Sequence, residues 1–385
     1  MKRYVVWLAL VVLLAGCSST GTAGPNPQTT DVATESSAAP VVQTNGSEVA
    51  LEAETVTSGD YPSTLTIMSH DSFSLSPEVV AEFEQANNVK LRFLKAGDAG
   101  AALNRALLTR GNPLADVFFG VDNTFLSRAL TADAFEPYMP QGLDQIPAEL
   151  KLDPEHRLIP IDYGFVTLNY DKQDPLFTNI DPQTLRLEDL TKPEFRGKVV
   201  VQNPATSSSG LAFMLATIDY FGQDLWLDWW RQMRDNDVVV VEGWDTAYFA
   251  NFSGSTGEGA QPIVVSYATS PAYEVVASEG RYTEPPTGNL LPPKSAFRQI
   301  EFAGILKGTK NLTLAQKWMD YMLSRRVQDD IMPQMVVYPA LPSAEIPAVY
   351  QQFAPVPDQP ATLDPETIAQ NRDTWIRDWT QTVLQ

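Results

Sequence analysis

The chain has 385 residues, of which 44% are hydrophobic and 19% charged, a composition typical of a globular protein long enough for about two domains. Its formal net charge of −20 argues against nucleic-acid partners and against electrostatic binding to anionic lipids, but it is compatible with a cationic ligand. The single cysteine excludes disulfides within the chain, so an apolar core must hold the fold together.

The N-terminus has the pattern of an export signal. Lys2 and Arg3 precede an apolar run over 4–14 that is too short to span a bilayer. Leu14-Ala15-Gly16-Cys17 then resembles the lipobox of bacterial lipoproteins. We predict a signal peptide over 1–17 and lipidation at Cys17, which would anchor the protein outside the cytoplasmic membrane, at the cell surface or in the periplasm. The alternatives are an ordinary signal peptide with an incidental cysteine, or an N-terminal membrane helix.

Residues 18–62 are rich in Ser, Thr, Gly, Ala and Pro, and this composition predicts a disordered tether. Strands then alternate with helices, which indicates an α/β block with a largely parallel sheet. The predicted strands of this first block are 65–69, 89–96 and 115–121, and its predicted helices are 77–88 and 101–111.

A second α/β block follows residue 195. Its predicted strands are 197–202, 237–242 and 262–267, and its predicted helices are 211–222, 245–252 and 271–278. The alternating segment 159–172 could carry the chain into this block, and 297–309 could carry it back. We therefore predict one lobe from 63–165 plus 296–385 and a second from 166–295. We also predict a terminal helix over 365–384 that packs on the first block through Trp375 and Trp379, which are spaced i, i+4.

Polar and aromatic residues follow five of the predicted strands. Ligands bind beyond the carboxyl ends of strands in open parallel sheets, so these residues are candidates for a cleft. Each alone could be a turn or a helix cap. The segments that follow the strands contain His70, Asp71, Ser72 and Phe73; Asp122 and Asn123; residues 203–210; Gly243, Trp244, Asp245 and Tyr248; and residues 268–273 after Tyr267.

The chemistry of this set favours one class of ligand. Trp244, Tyr267 and Tyr273 offer flat π faces, while Asp71 and Asp122 offer negative charge. A flat aromatic cation without N–H donors would be held by such faces and charges, each face contributing about 0.5–2 kcal/mol. The Ser/Thr turn over 206–210 precedes a helix and could either cap it or bind a phosphate or another polar tail.

These residues resemble a known family, because several short motifs occur in the same order in the periplasmic thiamine-binding proteins of ABC importers. The resemblance covers nearly all of residues 65–385, and the string over 266–273 is the most specific part. The motifs are Asp71-Ser72-Phe73, Gly120-Val121-Asp122-Asn123, Asp162-Tyr163-Gly164, the turn over 206–210, Gly243-Trp244 with Ala247-Tyr248, Ser266-Tyr267-Ala268-Thr269-Ser270-Pro271-Ala272-Tyr273, Tyr338-Pro339 and Trp375 with Trp379.

The resemblance implies an α/β, two-lobed type II periplasmic-binding-protein fold with a two-strand hinge and an interlobe ligand cleft. It implies a monomer that passes thiamine or thiamine phosphate to an ABC permease, with no catalysis, cofactor or metal. Departures from the family pattern include His70 in place of a tyrosine, and Met335-Val336-Val337 before Tyr338 in place of a string containing tryptophan. The implied ligand-binding residues are Asp71, Ser72, Asp122, Asn123, Tyr163, Ser207, Ser208, Trp244, Tyr267 and Tyr273.

Three other functions stay open. The first is a receptor of the same fold for ferric ion or a polyamine. However, only His70 and His156 are available as histidine ligands, and no adjacent tyrosine pair occurs. The second is a secreted hydrolase, although the sequence has no G-x-S-x-G motif. The third is a surface scaffold without a small ligand, which would leave the aromatic and acidic strand ends unexplained.

Overall fold

The computed structural model describes residues 63–255 and 258–385, which belong to one compact unit. The predicted signal peptide over 1–17, the predicted lipidation site Cys17 and the predicted tether over 18–62 lie outside the described residues. Across the described part of the chain, no helix combines the length and the apolar character needed to cross a membrane.

A single mixed sheet runs through the molecule. Its strands are β1 (Thr64–Ser69), β2 (Lys90–Lys95), β3 (Val117–Asp122), β4 (Phe135–Glu136), β5 (Ile159–Asp171), β6 (Val199–Gln202), β7 (Val239–Val241), β8 (Ile263–Tyr267), β9 (Thr287–Leu290), β10 (Phe297–Leu306) and β11 (Tyr338–Pro339). The order is β2-β1-β3-β10-β5-β8-β6-β7, with β9 and β11 also paired to β5, and β4 to β10.

The sheet contains two parallel sets of strands. In the first strand set, β1 pairs in parallel with β2 and β3; in the second strand set, β6 pairs in parallel with β7 and β8. The long strands β5 and β10 lie between the sets and pair antiparallel with each other. Because β5 contacts β10 through its first half and β8 through its second half, it carries the chain from one set to the other. The division into lobes at 165/166 and 295/296 stays a prediction.

Ten α-helices cover the sheet and complete the predicted α/β architecture. They are α1 (Pro77–Asn87), α2 (Ala99–Leu108), α3 (Leu126–Thr131), α4 (Ser208–Phe221), α5 (Trp226–Asp235), α6 (Ser270–Ala277), α7 (Leu312–Met322), α8 (Arg325–Met335), α9 (Ala348–Phe353) and α10 (Pro365–Val383), counted within 63–255 and 258–385. The most enclosed of them is α4, whose residues from Ser208 to Ile218 are all buried. This agrees with its almost unbroken apolar sequence.

The terminal helix packs differently from the sequence prediction. Trp375 and Trp379 are buried as expected, but Trp379 lies edge-on to Trp230 of α5 at 5.3 Å and 78°. Since α5 belongs to the second α/β block, the predicted packing of α10 on the first block is wrong for this main contact. The cause is the stripe of large apolar side chains on α5, spaced i, i+3, i+4 and i+7, which needs a cover: Trp226, Trp229, Trp230 and Met233.

Candidate ligand-binding site

A cavity of about 300 Å³ lies among the segments that follow the two strand sets. Small-molecule sites in proteins commonly have this volume or a larger one. The cavity wall is formed by aromatic, polar and a few aliphatic side chains: His70, Ser72, Asp98, Ser208, Ser209, Trp244, Asp245, Phe249, Tyr267, Ser270, Tyr273, Glu301, Gln334, Met335, Val336 and Val337.

Trp244 forms a fixed aromatic part of this wall. Its indole stacks on the ring of Tyr248, with centroids 4.9 Å apart and an interplanar angle of 14°. It meets the ring of Tyr267 edge-on at 6.3 Å, and its Nε1 donates a hydrogen bond to Ser266 Oγ at 2.9 Å. Because the ring is held from two sides, it presents a flat apolar surface without needing to reorient for a ligand.

Tyr267 stands next to Trp244 and depends on a glycine in the neighbouring strand. A Cβ atom at Gly164 of β5 would lie 2.8 Å from Tyr267 Cδ1, so the ring occupies space that a side chain would otherwise fill. Burial, and then the carboxylates led by Glu301, raises the pKa of the Tyr267 phenol well above its ordinary value. The phenol therefore stays protonated and donates a hydrogen bond to Gln299 Oε1 at 2.6 Å.

Gln299 connects four parts of the molecule beneath the cavity wall. While its Oε1 accepts from Tyr267, its Nε2 donates to Asp122 Oδ2 at 3.0 Å and to Ser208 Oγ at 2.9 Å. The side chain is 1% exposed, and its partners belong to β3, β8 and α4, while Gln299 itself is in β10. This amide therefore fixes two residues of the cavity wall, one from β8 and one from α4.

Asp122 lies behind the cavity wall. The residue is fully buried, and its Oδ1 accepts hydrogen bonds from Thr124 N at 2.7 Å, Thr124 Oγ1 at 2.5 Å and Phe125 N at 3.1 Å. In this arrangement it reaches the cavity only through Gln299. Asp122 is therefore not among the wall residues, because neighbouring N–H and O–H groups hold its carboxyl group, and its contact with ligand stays a prediction.

Replacing Asp122 with asparagine is expected to change how stability depends on pH. Burial raises the pKa of Asp122 from 3.8 to about 6, so the folded state holds a proton that the unfolded chain releases between these values. The contribution of Asp122 to the free energy of unfolding is therefore lost as the pH rises from about 4 to about 6, an effect of about 3 kcal/mol. Urea unfolding of both proteins across this range should show a smaller decline for Asp122→Asn. If the free energy of unfolding depends on pH in the same way in both proteins, the raised pKa of Asp122 is contradicted.

Three buried carboxyl groups lie side by side on adjacent strands. Glu301 of β10 is paired in register with Asp122 of β3 on one side and with Asp162 of β5 on the other. Apart from the carboxyl group of Glu301, neither oxygen of Asp162 has a hydrogen-bond partner among the described residues. Burial, and then the charge of Glu301, raises the pKa of Asp162 well above its ordinary value. Of the three, Glu301 is the one on the cavity wall.

His70 approaches Glu301 from the end of β1. Its Nε2 lies 3.3 Å from Glu301 Oε1, and the residue is 8% exposed. Burial lowers the pKa of the imidazole, but the charges of Glu301 and Asp98 outweigh it and raise the pKa above its ordinary value. The imidazole of His70 packs directly on Gly120. A Cβ atom at Gly120 would lie 2.5 Å from His70 Cδ2, and the φ of +103° at Gly120 also favours glycine.

Direct hydrogen bonds join the segments that follow the two strand sets. Asp98, at the start of α2, accepts a hydrogen bond from Trp244 N at 2.8 Å. Ser72 Oγ donates to Asp245 Oδ1 at 2.8 Å, beside the cavity. The main chain adds a third link, from Gly100 N to Thr206 O at 3.0 Å. Asp98 therefore ties the position of Trp244 to the first strand set.

Half of the predicted ligand-binding residues lie on the cavity wall: Ser72, Ser208, Trp244, Tyr267 and Tyr273. Asp71 lies outside it, is exposed and accepts a hydrogen bond from Gly97 N. Asn123 binds main-chain groups of Arg298 and Ile300.

The last two predicted ligand-binding residues also serve local structure. Tyr163 stacks on Tyr338 at 5.5 Å, and Ser207 caps α4 by accepting a hydrogen bond from Gly210 N. Together with Asp71, Asn123 and Asp122, they form the half of the predicted set that does not line the cavity.

Several wall residues escaped the sequence analysis as ligand contacts. Asp98 occurs in a turn that has the pattern of an ordinary helix start. Glu301 lies within 297–309, which the sequence analysis treats only as a segment that could carry the chain back to the first block. The segment 334–337 enters the wall because Val336 adopts a left-handed conformation, with φ at 60°, at the end of α8. Its only signal in the sequence is the departure from the family pattern before Tyr338.

The charges on the wall are predominantly negative. Asp98, Asp245 and Glu301 face the cavity, and His70 is the one basic side chain on its wall among the described residues. Within 63–255 and 258–385, no group of three or more His, Cys, Asp or Glu residues is arranged to hold a metal ion. The site therefore suits an organic cation with a flat ring better than an anion.

Comparison with known proteins identifies relatives of this chain. Residues 112–361 match the family model described as bacterial extracellular solute-binding protein. The thiamine-binding periplasmic protein of Brucella suis biovar 1 is 30% identical over 327 residues, covering 82% of this chain and 91% of the relative. The thiamine-binding periplasmic protein of Escherichia coli K12 is 28% identical, covering 83% of this chain and 93% of the relative.

Solved structures share the fold over most of their length. A periplasmic thiamin-binding protein matches with a TM-score of 0.72 and 27% identity, covering 83% of this chain and 96% of its own. AfuA from Actinobacillus pleuropneumoniae, a periplasmic binding protein with fructose-6-phosphate bound, matches with a TM-score of 0.71 at 20% identity, covering 84% of this chain and 99% of its own. The predicted type II periplasmic-binding-protein fold is thereby confirmed.

Proposed function

Because the chain belongs to the bacterial extracellular solute-binding proteins, we propose that it captures thiamine outside the cytoplasmic membrane and delivers it to the permease of an ABC importer. The observation that carries this proposal is the cavity wall, which sets the faces of Trp244 and Tyr267 beside carboxylates and includes no Lys or Arg among the described residues. The names of the relatives at 28% and 30% identity agree with it.

The chemistry of thiamine fits these groups. Its thiazolium ring carries a fixed positive charge without an N–H donor, so aromatic faces and nearby negative charge must hold it. Its aminopyrimidine ring can stack and can exchange hydrogen bonds with Ser208, Ser270 or Glu301 on the wall. A phosphate ester could accept hydrogen bonds at the start of α4, where Ser208 and Ser209 line the cavity.

Capture would follow from the contacts between the two strand sets. A ligand that touches both Tyr267 of β8 and His70, which follows β1, stabilises the arrangement in which Asp98 binds Trp244 N. The two lobes would open by bending at β5 and β10, the strands between the sets. The protein would release thiamine unchanged, as a binding protein and not as an enzyme, and lipidation at Cys17 would keep it at the membrane.

Calorimetric titration of the full chain tests the proposal. We expect thiamine to bind, and we expect 3-deazathiamine, in which a neutral thiophene replaces the thiazolium, to bind at least about tenfold more weakly, a difference of about 1.4 kcal/mol. Thiamine monophosphate and pyrophosphate, titrated in parallel, establish which ester the site prefers. Ferric citrate and spermidine serve as controls for the rival receptor functions.

Two results would count against the proposal. If thiamine releases no heat and does not raise the melting temperature, the chain is not a thiamine receptor. If thiamine and its neutral analogue bind equally, the carboxylates on the wall do not select a cation.

A further inference from the structure

A second cavity lies between α2, α3 and α10 and is lined by three arginines. This basic groove has a volume of about 980 Å³ and shares no wall residue with the thiamine cavity. Its wall consists of Asn104, Leu107, Leu108, Arg110, Ser127, Arg128, Thr131, Ala132, Ala369, Arg372 and Asp373. Three guanidinium groups on one groove are unexpected in a chain whose formal net charge is −20.

The arginines of the basic groove are poorly neutralised. Asp373 is the one acidic wall residue in the part of the chain that the structure describes, and it accepts a hydrogen bond from Arg372 Nη1. The side chains of Arg110 and Arg128 form no ion pair or hydrogen bond with any residue in 63–255 or 258–385. Like charges that share a groove repel one another, so an anion bound there would be stabilised by all three.

Arg372 gives the basic groove its buried polar group. The residue is 4% exposed, and its guanidinium lies 4.3 Å from the centre of the Phe125 ring. Its Nε has no hydrogen-bond partner among the described residues, and the same holds for Asn104 Oδ1 on the same wall. Burial, opposed by Asp373 and reinforced by Arg128, lowers the pKa of Arg372. A buried donor without a partner is costly, and a ligand acceptor would remove that cost.

We propose that the basic groove binds a phosphate-bearing anion through Arg110, Arg128 and Arg372. Arginine presents a planar fork of donors that suits phosphate oxygens, and Ser127 and Thr131 add hydroxyl donors. The apolar rim, including Leu108 at 86% exposure, would accept the carbon part of an ester. Two sources share this chemistry, a free phosphate ester and a phospholipid head group.

Soluble phosphate esters test the first source. The full chain is titrated with glycerol 3-phosphate at constant ionic strength, and the melting temperature and the binding heat are followed. We expect binding to the wild type, and at least a tenfold loss of affinity in the double variant Arg110→Gln/Arg128→Gln. Both side chains are exposed, so the variant should fold and should keep its affinity for thiamine. Arg105→Gln/Arg377→Gln removes two charges from α2 and α10 outside the groove and should bind like the wild type.

Vesicles test the second source. The same three proteins are sedimented with vesicles of phosphatidylcholine, with and without phosphatidylglycerol. Binding that needs phosphatidylglycerol and is lost only in Arg110→Gln/Arg128→Gln supports a lipid head group. If neither the ester nor the anionic vesicles bind in a manner that depends on Arg110 and Arg128, the proposal is overturned. This holds whether or not thiamine binds elsewhere.

Discussion

Replacing Gln299 with leucine should destabilise the protein by about 3–5 kcal/mol, because three buried polar groups lose their partner together. Asp122 Oδ2 and Ser208 Oγ lose a donor, and the Tyr267 phenol loses its acceptor. Leucine has a similar volume, so the loss of hydrogen bonds and not a cavity would dominate. Urea unfolding with an unchanged m-value would measure the effect.

Gln351→Leu provides the matched control for this change. Gln351 is exposed on α9, and within 63–255 and 258–385 its side chain donates only to the main-chain oxygen of Ile346, so its replacement should alter stability by less than about 0.5 kcal/mol. Gln299→Leu should also weaken thiamine binding, since Tyr267 and Ser208 would no longer be held in place. A stability loss under about 1 kcal/mol would show that the amide does not organise the cavity wall.

Replacing Trp244 with alanine should weaken thiamine binding by at least about tenfold, and by as much as about thirtyfold if the ring is fully desolvated. The change removes the flat face of the indole, together with its stacking on the ring of Tyr248. Calorimetric titration of folded protein, verified by circular dichroism, would measure the loss.

Trp244→Phe separates the aromatic face from the indole N–H. Phenylalanine keeps a ring against Tyr248 but cannot donate to Ser266 Oγ, so it should retain more affinity than Trp244→Ala. If the alanine variant binds thiamine like the wild type, Trp244 does not contact the ligand. If both variants lose affinity equally, positioning through Ser266 and not the aromatic face is responsible.

The sequence allowed the sheet to be predicted well because its signals are local. Apolar runs such as 197–202 and 262–267 lie close to β6 and β8, and the long alternating segment 159–172 corresponds to β5. The terminal helix was placed on the wrong partner, because spacing shows that Trp379 is buried but not against which face. The stripe on α5 that covers it lies far away in the chain.

The site was predicted only in part, and the reason is physical. Aromatic residues at strand ends, such as Trp244 and Tyr267, are conspicuous in sequence and do line the cavity. The position of a carboxylate relative to the wall depends on which donors reach it first. Asp122 is surrounded by Thr124 and Phe125 N–H groups and by Gln299, so it lies behind the wall, while Glu301, also buried, lies on the wall.

Contacts between distant segments carry the rest of the site. Gln299 gains its importance from partners that are 32 to 177 positions away in the chain, and Asp98 does so from Trp244, 146 positions away. The spacing of residues along one strand or helix does not predict such pairs. The left-handed conformation of Val336 is equally hidden, because valine rarely adopts it.

A crystal structure of the full chain bound to thiamine would test the central claim most directly. We predict that the thiazolium or pyrimidine ring lies within about 6 Å of the Trp244 or Tyr267 ring centre, with Glu301 among the nearest charged groups. Thiamine bound in another cavity, or in this one without contact to any of these three side chains, would contradict the account.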